Sequence, residues 1–178
     1  MEKPSRKANR LADYDYSQDG TYFVTICTRD RKRILSQISV GTGVPDCPKI
    51  QLLKHGEIAE KYLRQMNDFY GHLSVDKYAI MPDHIHILIT VRNGQSRTPV
   101  PTETGRIDNR NSTISQFVST FKRFCNKEYG QDIWQGRYYD HVIRNQQDYN
   151  EIWQYIENNP TKWMLVHKDS FDNADYIW

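Results

Sequence analysis

VDKYAIMPDHIHILITV, residues 75–91, contains two strands and the turn between them, and the reading of the fold starts there. β-Branched and aromatic residues are enriched on both sides of Pro82-Asp83, a tight-turn pair. The pattern predicts strands over 75–81 and 84–91. Successive side chains of a strand point to opposite faces, so Ile85, Ile87, Ile89 and Val91 form one apolar row. His84, His86, Leu88 and Thr90 form the other row. The apolar row has to be covered by helices, which the flanking sequence must supply.

Working outward, residues 57–70 carry Ile58, Tyr62, Met66 and Phe69 with Ala59, Leu63 and Tyr70, an amphipathic helix. Residues 113–128 carry Ile114, Phe117, Val118, Phe121, Phe124 and Cys125 at helical spacing. Thr113 and Gln116 read as a capping box, and Gly130 as the stop. TYFVTICT (21–28) and RYYDHVIR (137–144) read as strands, and 34–54 as a short hairpin. A last helix spans 146–158, with Asn145 as N-cap and Pro160 as terminator. The order strand–helix–strand–strand–helix–strand is the split βαβ, ferredoxin-like arrangement. The predicted fold is therefore α+β: an antiparallel sheet with helices on one face, the other face left free, and a C-terminal helix beyond the fourth strand.

At 178 residues the chain suits one domain, with 1–19 as a basic N-terminal arm, 92–111 as a polar loop rich in Gly and Pro, and 161–178 as a C-terminal extension. No run approaches the ~18 apolar residues of a membrane span. MEKPSRKANRLADYDY has no apolar stretch, so no signal peptide is expected. Cys27, Cys47 and Cys125 are odd in number and widely spaced. They suit neither a disulfide scaffold nor a C-x-x-C metal clip, and fit a reducing, cytoplasmic location. Lys and Arg number 24 against 22 Asp and Glu, too balanced for a global nucleic-acid footprint. The basic residues are nevertheless clustered, at Lys3, Arg6, Lys7 and Arg10 and again at Arg29, Arg31, Lys32 and Arg33. Either cluster could grip phosphates or simply face solvent.

Two constellations carry chemistry. His84 and His86 stand on one side of a strand and could chelate one ion; two partly exposed histidines on an open sheet face would give the same pattern. In helix 146–158, Tyr149, Ile152, Trp153 and Ile156 form the apolar stripe, and Tyr155 lies about 110° from its centre at 100° per residue. Asn159, four residues on, neighbours Tyr155 on that flank. A surface tyrosine beside an asparagine is unremarkable unless the flank faces the histidines.

MPDHIHILI (81–89), IWQGRYYDHVIR (133–144) and YIENNP (155–160), with RLADYDYSQDGTYFVTICT (10–28) before them, resemble the single-tyrosine HUH transposases, and in particular the REP-associated tyrosine transposases. The resemblance implies a ferredoxin-like sheet, in agreement with the reading above. It further implies an enzyme that cuts and rejoins single-stranded DNA, often beside a hairpin, through a 5′-phosphotyrosine intermediate. Tyr155 takes the nucleophile's position, and His84, His86 and Asn159 the metal ligands' positions. The residue before the first histidine, often Asn in such proteins, is Asp83 here, outside the ligand set.

A phenol with a pKa of about 10 needs a cation nearby to attack a phosphodiester at neutral pH. Two imidazoles and an amide leave positions open for phosphate and water and suit Mg²⁺ or Mn²⁺. Candidate DNA contacts are Arg6, Lys7, Arg10, Arg29, Arg31, Lys32, Arg33, Lys122, Arg123 and Arg144; Tyr138 and Tyr139 are either structural or DNA-contacting. The resemblance admits a monomer or a homodimer. One rival reading is a ferredoxin-like single-stranded nucleic-acid binder without catalysis, which does not need the two histidines, Tyr155 and Asn159 together. Another is a metal-dependent phosphoesterase using water, which does not need Tyr155. Under the transposase reading, helix 146–158 must lie over the free sheet face with the Tyr155–Asn159 flank toward the histidines.

Overall fold

The structure is a computed structural model that describes residues 14, 18–40, 48–92 and 112–167. Most of the basic arm, including Arg6, Lys7 and Arg10, lies outside the described residues, as do 93–111 and 168–178. The chain runs β1 (Gly20–Cys27), β2 (Ser36–Val40), β3 (Pro48–Leu52), α1 (Lys54–Phe69), β4 (Leu73–Ile80), β5 (His84–Val91), α2 (Thr113–Tyr129), β6 (Tyr139–Ile143) and α3 (Gln146–Val166). Four strands form one antiparallel sheet in the order β4-β5-β1-β6. That is the split βαβ order expected from the sequence, with β2 and β3 paired as a separate hairpin.

The alternation of β5 divides the molecule into two cores. Ile85, Ile87, Ile89 and Val91 join Tyr22, Val24 and Ile26 of β1 on one face. Against them pack Ala59, Leu63 and Met66 of α1 and Ile114, Phe117, Val118 and Phe121 of α2, all essentially inaccessible. Leu88 points the other way and packs with Phe23, Ala79, Met81, Ile38 of the hairpin and Ile156 of α3. Tyr149, Ile152, Trp153, Trp163 and Met164 complete this second cluster. The face left free by the bare topology is thus partly covered, by α3 and by the β2–β3 hairpin, with α3 lying mainly over β4 and β5. The helix docks there through its apolar stripe, which packs on Phe23, Ala79, Met81 and Leu88.

Two local expectations are corrected. The N-cap of α2 is Ser112, whose Oγ accepts from the Ser115 backbone N–H at 3.3 Å, so Thr113 is the first helical residue and forms no capping box with Gln116. Gly130, with φ of 72°, ends that helix as expected. Asn145 caps α3 through the Asp148 N–H at 2.9 Å, but Pro160 does not end the helix, which continues to Val166. An interior proline removes one backbone hydrogen bond and costs ~3 kcal/mol. Here Pro160 is itself buried and Trp163 and Met164, one turn further on, pack on the second cluster, so burial offsets the local cost.

The turn between β4 and β5 is held from three sides. Met81 N–H donates to the His84 carbonyl at 2.8 Å. Thr28 donates to the Asp83 carbonyl from both its backbone N–H and its hydroxyl. Leu35 N–H reaches the Pro82 carbonyl, and the Ser36 hydroxyl the Ile80 carbonyl. Gly56 is needed beside this clamp: a Cβ there would stand 2.0 Å from the Leu35 carbonyl oxygen. The first histidine of β5 therefore starts from a rigid support.

Candidate active site

His84 and His86 project from β5 onto the α3 side of the sheet and are 8% and 5% exposed, more buried than histidines on a free face would be. Their Nε2 atoms face each other at 3.0 Å. Each ring is oriented through its other nitrogen. His84 Nδ1 is hydrogen-bonded to the Asp83 carboxylate, and His86 Nδ1 to the Thr25 hydroxyl at 2.9 Å on the neighbouring strand. Fixing Nδ1 leaves Nε2 as the outward nitrogen, the way a hydrogen bond on one ring nitrogen turns the other toward a metal in metal-binding histidines.

Burial, reinforced by the neighbouring His84 and Arg31, pushes the His86 pKa down to about 3, so this ring is neutral at neutral pH. Burial works to raise the Asp83 pKa, but the hydrogen bond and charge of His84, with Arg31 and Arg33, outweigh it and hold the carboxyl below its usual range. Asp83 is therefore an ionised partner that orients His84. Sequence alone put it outside the ligand set and assigned it no role.

The Tyr155 flank of α3 meets this pair. The Tyr155 ring lies 5.2 Å from the His86 ring, edge-on, and 5.8 Å from Phe23, centroid to centroid. Eight residues on, Trp163 lies 5.8 Å from the His84 ring. Residues spaced by four form one row on a helix, so Asn159, midway between them and 7% exposed, sits between the residue touching His86 and the residue touching His84. Tyr155 itself is 36% exposed, open to a substrate from one side, and Lys162 places its ammonium 5.1 Å from the Tyr155 ring centre.

This donor set fits a divalent cation. The two Nε2 atoms converge to 3.0 Å, hydrogen-bond distance, so that both imidazoles could turn to one ion held between them. Among the described residues no group of three or more His, Cys, Asp and Glu side chains gathers to hold an ion. The candidate ligands are thus two imidazoles and the Asn159 amide, a sparse set, which would leave room for a phosphate oxygen and water.

The candidate DNA contacts fall into separate groups. After β1, a short 3-10 turn (Arg29–Arg31) holds Asp30 and Arg31 at φ of 56° and 54°, left-handed values costly for residues other than glycine. Thr28 and Lys32 close the turn through a hydroxyl–carbonyl hydrogen bond of 2.9 Å. The turn directs the Arg31 guanidinium to the Asp83 carboxylate at 3.6 Å, and Arg33 lies 5.5 Å over Trp163. Arg31 and Arg33 thus border the histidines while staying exposed. Lys32 is exposed, and Arg29 is paired with Asp132. Lys122 points its ammonium at the carbonyls of Gln135, Gly136 and Arg137, and Arg123 lies over Phe124, both on α2 behind the sheet. Arg144 is exposed at the β6–α3 joint.

Sequence reasoning missed Thr25, Phe23, Trp163 and Lys162. Thr25 was detectable in principle, because it lies on the β1 face that alternation pairs with the histidines; Trp163 and Lys162 lay beyond the point where the helix was expected to stop.

The family model described as Transposase IS200 like matches residues 49–159 of the chain. That span includes both histidines, Tyr155 and Asn159, but not Thr25. An uncharacterized protein of Haemophilus influenzae is 28% identical over 169 residues, 89% of each chain. The REP-associated tyrosine transposase of Escherichia coli K12 is 26% identical over 147 residues, 83% of this chain and 70% of that protein. The solved structure of a REP-associated tyrosine transposase bound to a REP hairpin superposes with a TM-score of 0.59 at 19% identity, over 89% of this chain and 74% of that one, a likeness of fold.

Proposed function

The chain belongs to the IS200-like transposase family, and on that premise we propose that it is a metal-dependent single-stranded DNA transesterase, cutting and rejoining DNA beside a hairpin through a 5′-phosphotyrosine. The observation that carries this reading is the Tyr155 ring packed against His86, with the two Nε2 atoms converged and Asn159 one helical turn away. A nucleic-acid binder has no use for a buried pair of oriented imidazoles beside a half-exposed phenol. A phosphoesterase using water would not need the phenol.

His84, His86 and Asn159 would hold a Mg²⁺ or Mn²⁺ ion, which when bound neutralises charge on the scissile phosphate and favours the phenolate. Tyr155 Oη attacks phosphorus and releases its proton to solvent. The Oη–P bond forms as the P–O3′ bond breaks, and the 3′ oxygen takes up a proton to leave as a free 3′-OH. Rejoining reverses the step with a 3′-OH attacking the phosphotyrosine, so no nucleotide cofactor is consumed. Asp83 and Thr25 keep the imidazoles turned, and Arg31 and Arg33 border the position the phosphate would take. The partner we infer is single-stranded DNA carrying a hairpin, the kind of ligand present in the solved relative.

The test is incubation with single-stranded hairpin oligonucleotides in Mg²⁺ or Mn²⁺, read on a denaturing gel. A covalent protein–DNA species is expected, lost in EDTA and in Tyr155→Phe, while noncovalent binding persists. Adducts formed by Tyr155→Phe, or full cleavage in excess EDTA, would refute the reading.

A further inference from the structure

Tyr138, just before β6, and Tyr139, its first residue, divide between the two faces of the sheet. Tyr138 turns inward: its ring packs against the first core and its hydroxyl lies 3.3 Å from the Ser115 hydroxyl. Tyr139 points to the α3 side and is 51% exposed. In register it stands opposite Thr25, which stands opposite His86. One row across the sheet therefore reads Tyr139, Thr25, His86. Two strand spacings put Tyr139 about 10 Å from the histidine.

Among the described residues α3 lies mainly over β4 and β5 of the sheet, which leaves the start of β6 the more exposed part of this face, one strand beyond Phe23 and Thr25 of β1, and Phe23 touches Tyr155. The backbone that carries Tyr139 is fixed. β6 is paired to β1, anchored inward through Tyr138, and tied to the first turn of α3 by His141, whose Nε2 contacts both Asp148 carboxylate oxygens at 3.1 Å. Cations flank the strand, with exposed Arg137 before it and exposed Arg144 after it. The acid on this stretch of surface, Asp148, is occupied by His141, and Asp140 is buried on the other side. A large flat aromatic, exposed on a paired strand, with cationic side chains at both ends and the candidate site at its side, has the composition of a base-stacking surface.

We propose that Tyr139 is the stacking platform for one nucleobase of the single-stranded DNA whose scissile phosphate is presented to the Tyr155 hydroxyl beside the histidines. This rests on the function proposed above and adds to it a base contact at the exposed start of β6. Stacking is indifferent to base identity, so Tyr139 fixes the register of the strand relative to Tyr155 and leaves its sequence to other contacts.

The test is an abasic-site scan. Hairpin oligonucleotides with a single-stranded oligo-dT flank carry one abasic position at a time, and affinity is measured by fluorescence anisotropy with the Tyr155→Phe protein, which cannot cleave. One position in the flank should weaken binding by about 5- to 100-fold when its base is removed. Adding Tyr139→Ala should weaken binding of intact DNA by a similar factor and abolish the sensitivity at that position alone. Tyr139→Phe should behave like tyrosine, and Tyr139→Leu like alanine. Retained affinity in both Tyr139→Ala and Tyr139→Leu, or abasic sensitivity unchanged by them at every position, would overturn the proposal. Tighter binding of an RNA strand of the same sequence through Tyr139 would overturn its assignment to DNA. Adduct formation, measured separately in the protein that retains Tyr155, separates the two readings. Adducts without Tyr139–base coupling end the stacking site alone, and coupling without adducts ends the transesterase reading alone.

Discussion

The two faces of the central sheet are made by the same strands and are opposite in character. Toward α1 and α2, β5 presents Ile85, Ile87, Ile89 and Val91 to a continuous apolar core. Toward α3 the same strand presents His84, His86 and Leu88, and the small apolar cluster there is interrupted by imidazoles, a threonine and a half-exposed tyrosine. The first face stabilises the domain and the second holds the candidate site. Putting both on alternate residues of one strand means the site inherits the rigidity of the core without having to be part of it, which is how a constellation of buried polar groups can be held still.

That division predicts that substitutions on the two faces differ in kind. Phe121, fully buried on the helical face, should be the costliest to shorten: Phe121→Ala is expected to lower unfolding free energy by ~3–5 kcal/mol, measured by urea denaturation. A loss below about 1 kcal/mol would mean that this face is not the main core. Thr25→Val keeps the strand and its bulk but removes the hydrogen bond that turns His86. It should leave stability within about 1.5 kcal/mol and raise the Mn²⁺ concentration needed for half-maximal cleavage about 10- to 100-fold. An unchanged metal titration would show that the Thr25 contact is incidental.

The finest contrast is between two cysteines. Cys125 is buried in the first core and burial pushes its thiol up to about 12, so its thiolate is negligible at pH 8. Cys27 faces the other side, opposite His84, and is partly exposed; burial raises it as well, partly offset by Arg31. Iodoacetamide at pH 8, followed by peptide mass mapping, should label Cys27 slowly and Cys125 not at all until the chain unfolds. Equal labelling of the two would contradict the asymmetry.

The first face was legible because it is written in alternation and in helical spacing, patterns that the hydrophobic effect enforces along the whole of β5, α1 and α2. The α3 stripe was legible for the same reason, and its need for a surface placed it over the histidine side. The residues around the site were less so. Thr25 is one threonine among many on strands, and only the register of β1 against β5 gives it His86 as a partner. The extension of α3 past Pro160 ran against a local rule, and tertiary burial of Trp163 and Met164 prevailed over it. Ser112 and Thr113 are both competent caps, and a choice of one residue depends on backbone geometry. The basic residues looked alike in sequence, yet Arg31 and Arg33 border the site while Lys122 is engaged with backbone carbonyls on the far side of the sheet.

The central claim is that the second face positions one particular phenol for attack. The most direct measurement is tandem mass spectrometry of the covalent protein–DNA species after nuclease digestion. A nucleotide mass is expected on the peptide containing Tyr155, attached through a 5′-phosphate and present only when a divalent ion was supplied. The same modification on another tyrosine, Tyr139 or Tyr138 included, or on no tyrosine at all, would contradict it.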